Sequence, residues 1–182
     1  MSVETSLRET ARLLDRLQQE KTIQGYALIG GLAVSAWGFP RATQDIDFLV
    51  SIPPPSTLKA FRKGLEEHGF PTKAVHGAPA DPVPCVVRAS RGGIPIDMLV
   101  VTRKWEEEAV QAAVSVQLGE ARIPVVTPEY LIAMKLKAGG PRDLLDAREL
   151  LSMSEVDMES LRDLARRLRV DRRLDRLRRP KL

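Results

Sequence analysis

The chain has 182 residues, of which 43% are hydrophobic, and its formal net charge is +4. That length supports one well-buried core with a helical appendage, while a single cysteine, Cys85, excludes an internal disulfide and a cysteine-rich metal site. The charge is unevenly spread, because residues 161–182 carry ten Lys or Arg against three Asp and so a local charge of +7.

The first 21 residues alternate charged side chains with Leu and Ala at helical spacing, which predicts an amphipathic helix over about residues 5–20. The segment has no continuous apolar stretch of the kind found in signal peptides. Nowhere does the sequence approach the apolar length that spans a membrane. We therefore expect an unexported, cytoplasmic protein with no membrane partner.

Strand and helix patterns alternate between residues 25 and 126. They predict, in chain order, a strand at 25–30, a short helix at 32–39, a strand at 45–50, a helix through Leu58, Phe61 and Leu65 capped by Ser56 or Thr57, a loop at 77–84, a hairpin of strands 85–90 and 94–101, a helix at 104–117 and a strand at 121–126.

Helical patterns continue from residue 127 to the basic end, and Thr127 followed by Pro128 is a strong helix start. We expect an α/β (α+β) fold with a mixed β-sheet flanked by helices. Residues 1–126 would form the core, and residues 127–182 would form a helical C-terminal part that ends in the basic tail.

Two acidic residues, Asp45 and Asp47, stand in the predicted strand at 45–50 with one apolar residue between them. Residues two apart in a strand face the same side, so the two carboxylates should project together while Ile46, Phe48 and Val50 face the core. Like charges this close repel, which raises the pKa of each unless a cation or a strong donor offsets the repulsion.

A third carboxylate, Asp97, lies in "IPIDMLVV", where the alternate residues Ile96 and Met98 belong to the opposite face. If this strand lies beside the one at 45–50, all three acids share a surface and could hold divalent cations through oxygen ligands. Taken singly, Asp45 could be a strand-start residue and Asp97 an exposed edge residue. An acid-apolar-acid pair also occurs in glycosyltransferases, which usually need a longer chain.

Gly30 and Gly31 follow the first predicted strand and precede a short helix. A glycine pair in this setting lets backbone N–H groups approach a phosphate closely, although most such pairs are plain turns.

Taken in order, "IGG…RATQDIDFLV…GIPIDMLVV" resembles the DNA-polymerase-beta-like nucleotidyltransferases, which have a glycine turn, an acid-apolar-acid strand and a later acid on a neighbouring strand. The segment "LIAMKLKAGGPRDLLDAREL" is similar to the helical part of the abortive-infection toxin nucleotidyltransferases and their small uncharacterised relatives. The resemblance covers residues 25 to about 151 and implies the nucleotidyltransferase fold.

This resemblance implies transfer of a nucleoside monophosphate from an NTP to an acceptor hydroxyl, with release of pyrophosphate. Two Mg²⁺ ions, or Mn²⁺ in their place, suit that chemistry. Asp45 and Asp47 would hold both ions, and Asp97 would bind the ion on the acceptor side and help to accept the hydroxyl proton. Gly30 and Gly31 would contact the terminal phosphates.

Two cations are candidates for binding the triphosphate. Arg41 precedes the acids by four residues and either reaches the phosphates or is a solvated loop arginine. Lys135 lies among apolar residues of a predicted helix, and the family resemblance favours a phosphate contact over a solvent-directed side chain, with Lys137 as the less favoured substitute. Asp143 and Asp146 are expected to brace this helical region.

The sequence leaves the acceptor open among RNA or tRNA, a protein side chain and a small hydroxylated compound. The tail favours RNA, because its arginines, which suit phosphate well, surround a thin stripe of leucines; the alternative is a solvated helix that packs on the core. A non-catalytic nucleotide- or RNA-binding member with a partner protein, as in toxin-antitoxin systems, is the second hypothesis. A basic RNA-binding module with structural acids is the third.

Overall fold

The computed structural model describes residues 1–54, 56–76, 85–153 and 155–178. Its elements in chain order are α1 (Val3–Gln19), β1 (Gly25–Ile29), α2 (Gly30–Ala36), β2 (Ile46–Ser51), α3 (Leu58–Glu67), β3 (Thr72–His76), β4 (Cys85–Arg91), β5 (Ile94–Val100), α4 (Lys104–Gln111), β6 (Val114–Leu118), β7 (Ala121–Val125), α5 (Pro128–Ala138), α6 (Pro141–Met153), α7 (Met158–Arg167) and α8 (Asp171–Arg178). The loop predicted at 77–84 lies outside the described residues.

The described strands form one seven-stranded mixed sheet in the order β3-β4-β5-β2-β1-β7-β6. Strands β2 and β5 run parallel, as do β1 and β7, while the other neighbours are antiparallel. Two parallel junctions therefore bracket the β1–β2 pair at the centre of the sheet.

The core-facing residues of β2 follow the predicted alternation. Ile46, Phe48 and Val50 are each fully buried, and the Phe48 ring makes an edge contact with Tyr26 at 5.6 Å between centroids. This parity determines the orientation of the acids, since a shift of one residue would turn Asp47 into the core.

Two strands differ from the sequence prediction. Residues 114–117 were expected to continue a helix, but α4 ends at Gln111 and residues 114–118 form β6, which pairs with β7 across a turn at Gly119. The alternation of Val114, Val116 and Leu118 suits a strand, and Gly119 has a φ of +57°. Strand β3 was not predicted, because its short sequence "TKAVH" has a weak pattern.

Helix α5 begins with Pro128 at its first turn and ends at Gly139, which has a φ of +71°. Its Leu131 and Leu136 are buried in the same hydrophobic cluster as the strands of the sheet. The division of the chain at residue 126/127 stays a prediction. Within the described residues, no helix combines the length and apolarity that crossing a membrane requires.

Helix α8, in the basic tail, packs on the body of the protein. Its Leu174 is 1% exposed, and the Arg173 guanidinium donates hydrogen bonds to the carbonyl oxygens of Leu136 and Lys137 at the end of α5. A cation at a helix C-terminus pairs favourably with the helix dipole. The arginine-rich segment is thus partly a structural element.

Candidate active site

The acids of the two central parallel strands lie side by side. Asp47 of β2 is in direct register with Asp97 of β5, and the flanking pair Ile46 and Ile96 is in register on the opposite face. The structure therefore brings the predicted acids onto one surface. Asp45 stands immediately before β2 and is exposed.

Gly30 makes room for Asp47. Ile29 is paired with Asp47 across β1 and β2, so the chain turns directly beside the carboxylate. A Cβ atom on Gly30 would lie 2.0 Å from the Asp47 Oδ2 atom, and Gly30 has a φ of +68°. Both facts require glycine. At Gly31 a Cβ would come within 3.1 Å of Thr43, in the loop that leads to the acids.

The environment of Asp47 favours its protonated form. Burial, and then the negative charges of Asp45 and Asp97, raise the pKa of Asp47 from 3.8 to about 6, although Lys135 and Arg41 act to lower it. The pKa of Asp97 is also raised. Burial is the main cause of this increase. The positive charge of Arg88 lowers the pKa of Asp97, and the negative charge of Asp45 raises it further. Around Asp47, negative charge therefore exceeds its local compensation.

We call Asp45, Asp47 and Asp97 the acidic cluster. Its donors are all carboxylate oxygens, the ligand chemistry that Mg²⁺ and Mn²⁺ prefer, and the mutual repulsion described above favours a bound cation. As the side chains stand, the described parts of the chain contain no group of three or more His, Cys, Asp or Glu residues placed to hold a metal ion. Asp45 accepts a hydrogen bond from the Thr43 hydroxyl. The acids thus fit a divalent cation in the chemistry of their ligand atoms.

The two predicted phosphate-binding cations share one buried carboxylate. The Lys135 Nζ atom lies 2.9 Å from Asp146 Oδ2 and 3.0 Å from Asp143 Oδ1, and Arg41 Nη1 is ion-paired with the same Asp146 oxygen. Asp146 is 1% exposed and Lys135 is 9% exposed. We call these four residues the bridged cluster. Asp146 thus connects a loop, α5 and α6.

Both cations are ion-paired with Asp146 instead of solvated, and phosphate binding by either of them stays a prediction. Lys135 does not reach toward bulk solvent, and Arg41 is not a solvated loop residue, since its side chain is 15% exposed. The Arg41 Nε atom is buried and has no hydrogen-bond partner among the described residues. The positive charges of both cations act to lower the pKa of Asp47.

Sequence reasoning did not identify the bridging role of Asp146, nor the contacts of the acids with Thr43 and Arg88. The Arg88 Nε atom lies 3.7 Å from Asp97 Oδ1 across β4 and β5. For the bridge a signal was available: Asp143 and Asp146 are three residues apart in a helix and so share a face, and the helix before them carries the buried lysine.

Comparison with known proteins supplies independent findings. A family model described as "Nucleotidyl transferase AbiEii toxin, Type IV TA system" matches residues 12–182. None of the curated proteins compared with the chain matches it.

Solved structures with similar folds are nucleotidyltransferase-like. The antibiotic-resistance factor ANT(2'')-Ia superimposes with a TM-score of 0.59 and 14% sequence identity, over 96% of this chain and 96% of its own. An antigenic nucleotidyltransferase-like protein from Paracoccidioides brasiliensis gives a TM-score of 0.52 at 18% identity, covering 94% of this chain and 90% of its own. A Thermotoga maritima protein described as a nucleotidyltransferase gives 0.53 at 18% identity, covering 84% and 96%. These similarities confirm the predicted fold class.

Proposed function

Because the chain belongs to the AbiEii nucleotidyl transferase toxin family, and is thus a nucleotidyltransferase, we propose that it transfers a nucleoside monophosphate from an NTP to an acceptor hydroxyl and releases pyrophosphate. The observation that carries this proposal is the register of Asp47 and Asp97 on adjacent parallel strands, with Gly30 leaving the space that the Asp47 carboxylate fills. The resemblance seen in the sequence is confirmed at the level of the family.

In this proposal the acidic cluster holds two divalent cations, Mg²⁺ or Mn²⁺. When bound, such ions stabilise the attacking and leaving oxygens of a phosphoryl transfer. Asp45 and Asp47 contribute to both sites, and Asp97 lies on the acceptor side. The position of Asp97 in register with Asp47 places its carboxylate where it can accept the proton of the acceptor hydroxyl.

The triphosphate is held by the glycine turn and by the two cations of the bridged cluster. Gly30 and Gly31 offer backbone N–H groups without the obstruction of a side chain. The buried Arg41 Nε–H has no partner among the residues that the structure describes, and Lys135 sits within electrostatic reach of Asp47. Asp146 keeps both cations beside the acidic cluster when no phosphate is bound.

RNA, including tRNA, is the acceptor that we propose. The support is the exposure of Arg172 and Arg178 in α8 and of Arg169 in the connection between α7 and α8. Guanidinium groups bind phosphate oxygens with two donors each. The family description names a toxin–antitoxin system, so the proposal includes a toxin activity restrained by an antitoxin partner.

A labelling experiment tests the proposed activity. The protein is incubated with each α-labelled NTP and Mg²⁺, together with total tRNA or cell extract, and label is followed in RNA and in protein. We expect labelled RNA that disappears with EDTA or with Asp47→Asn. Asp157→Asn is the matched control, because Asp157 is an exposed helix cap outside the acidic cluster and asparagine is also a preferred capping residue.

The outcomes separate the hypotheses. Labelled protein instead of RNA would overturn the acceptor and keep the transferase. NTP binding without any transfer would favour the non-catalytic alternative. Full activity in a folded Asp47→Asn variant would overturn the site itself.

A further inference from the structure

An apolar cavity of about 190 Å³ opens on the sheet face that carries the acids. Leu49 and Leu99 line it from the sheet. These two residues are in register with each other and follow Asp47 and Asp97 by two positions, so they share the face of the acids. The cavity therefore continues directly from the acidic cluster along β2 and β5.

The other side of the cavity is formed by helices. Trp105 of α4 and Met134 of α5 both line it, and both are only partly buried. Among the described residues, Trp105 is not a member of the hydrophobic core cluster. A tryptophan and a methionine that face an open apolar cavity offer a polarizable surface for a flat ring.

The rim of the cavity is shared with the proposed phosphate site. Gly30, Lys135 and Asp143 line the cavity as well as belonging to the turn and the bridged cluster. Lys137, two residues after Lys135 in α5, also lines it. A ligand that fills the cavity would thus extend from the position of the triphosphate, with an ammonium group near its polar edge.

The volume restricts the class of occupant. An apolar cavity of about 150 Å³ accommodates benzene, so a cavity of 190 Å³ suits one small ring system. A peptide helix or a nucleic-acid strand needs a longer groove. The contiguity with Gly30 and Lys135 favours a ring that is attached to phosphates.

We propose that this cavity binds the nucleobase of the incoming NTP, with Trp105 and Met134 against the ring and Lys137 donating to an acceptor at its edge. The inference rests on the proposed function, since it takes the triphosphate to lie at Gly30 and Lys135. It assigns base binding to α4 and α5, whereas the acids of β2 and β5 serve the phosphates.

Isothermal titration calorimetry with two probes tests this assignment. Each protein is titrated, in Mg²⁺, with the NTP that the wild type binds most tightly and with inorganic tripolyphosphate, which has no base. Loss of stacking in Trp105→Ala should weaken NTP binding about 5- to 150-fold. Met134→Ala should weaken it about 2- to 10-fold. Both variants should bind tripolyphosphate as the wild type does.

Two controls match these variants. Met153→Ala removes a methionine that is 53% exposed at the end of α6 and should change neither affinity. Trp105→Phe keeps an aromatic ring and should restore most of the NTP affinity. A second readout uses Trp37→Phe, whose single remaining tryptophan should change its fluorescence with NTP and not with tripolyphosphate.

The possible results are distinguishable. If Trp105→Ala and Met134→Ala bind NTP like the wild type, or lose NTP and tripolyphosphate in equal measure, the nucleobase assignment is wrong while the proposed function stands. If the wild type binds neither probe, the proposed function fails with it. Loss of NTP affinity alone, rescued by Trp105→Phe, supports the assignment.

Discussion

The acidic cluster and the bridged cluster are close neighbours with opposite charge balance. In the acidic cluster, burial and then repulsion raise the pKa of Asp47 to about 6. In the bridged cluster, one buried carboxylate pairs with two cations. The acidic cluster destabilises the ligand-free protein, because a ligand is expected to supply the missing positive charge. The bridged cluster stabilises the protein, because its own residues complete the ion pairs.

The largest effect is expected from breaking the bridged cluster. Asp146→Ala leaves Arg41 and Lys135 without their shared buried partner, and removal of one member of a buried ion pair costs about 3–5 kcal/mol. Urea denaturation measures this loss in the free energy of unfolding. Glu67→Ala is the control, because its ion pair with Lys63 is exposed on both sides and should contribute less than about 1 kcal/mol. Equal losses of unfolding free energy in the two variants would show that the buried ion pairs contribute no more than an exposed one.

Removing one cation should have an intermediate effect. Lys135→Met keeps the helix propensity and the apolar stem, and hydrogen bonds to charged groups contribute about 1.5–3 kcal/mol, so NTP binding should weaken about 10- to 100-fold. Because Lys135 lowers the pKa of Asp47, the variant should also titrate Asp47 at a higher pH. Carboxyl NMR measures that shift, and an unchanged titration would show that the clusters are not coupled.

Neutralising the acidic cluster should stabilise the protein. The pKa of Asp47 is raised from 3.8 to about 6 on folding, so between pH 4 and pH 6 the folded state binds more protons, and stability falls as the pH rises. Without divalent cations, Asp47→Asn should therefore be more stable than the wild type by about 1–2 kcal/mol at pH 7–8, and this advantage should disappear below about pH 4.

Asp157 provides a control of opposite sign. Hydrogen bonds from Ser160 and Glu159 lower the pKa of Asp157, so its contribution to stability is present above the unfolded pKa and is lost as the pH falls. The stability difference between the wild type and Asp157→Asn should accordingly grow with rising pH. Thermal unfolding at several pH values measures the stability of both variants relative to the wild type. The same pH dependence in Asp47→Asn and Asp157→Asn would contradict the predicted opposite signs.

The smallest effect is expected at α8, which holds the helix that carries Lys135. Arg173→Ala removes the cation at the end of α5 and should lower stability by about 0.3–1 kcal/mol. The adjacent Arg172 is exposed, and Arg172→Ala should leave stability unchanged. If the tail binds RNA, Arg172→Ala should instead reduce RNA affinity and flatten its salt dependence, because fewer counterions are released. Identical behaviour of both variants would show that the tail has one role.

The local pattern of apolar and polar residues was sufficient to predict much of the fold. The alternation around Asp47 predicted its face correctly, because a strand with one buried side tolerates no change of register. The prediction failed at residues 114–117, where the helix was extended past Gln111 although Val114, Val116 and Leu118 alternate as in a strand, and pairing with β7 confirms the strand. For β3 the sequence carries too weak a pattern at the sheet edge.

The candidate site could be predicted from the sequence where its residues lie on adjacent strands. Asp47 and Asp97 could be placed together because matching the apolar faces of two strands also matches their acids. The bridge from Arg41 to Asp146 joins residues 105 positions apart, and no periodicity connects a loop to a helix. The cavity beside Trp105 likewise depends on how α4 and α5 approach the sheet, which is a property of packing.

The long separation between Asp47 and Asp146 has a consequence for how the protein is made. Strands β1 and β2 can pair once residue 51 has left the ribosome, whereas β5 and α6 follow much later in the chain. Synthesis at about 5–20 residues per second separates Asp47 from Asp146 by roughly 5–20 s. A growing chain that ends before residue 146 lacks the bridge between Arg41 and Lys135, so translation itself delays the assembled site until most of the protein exists.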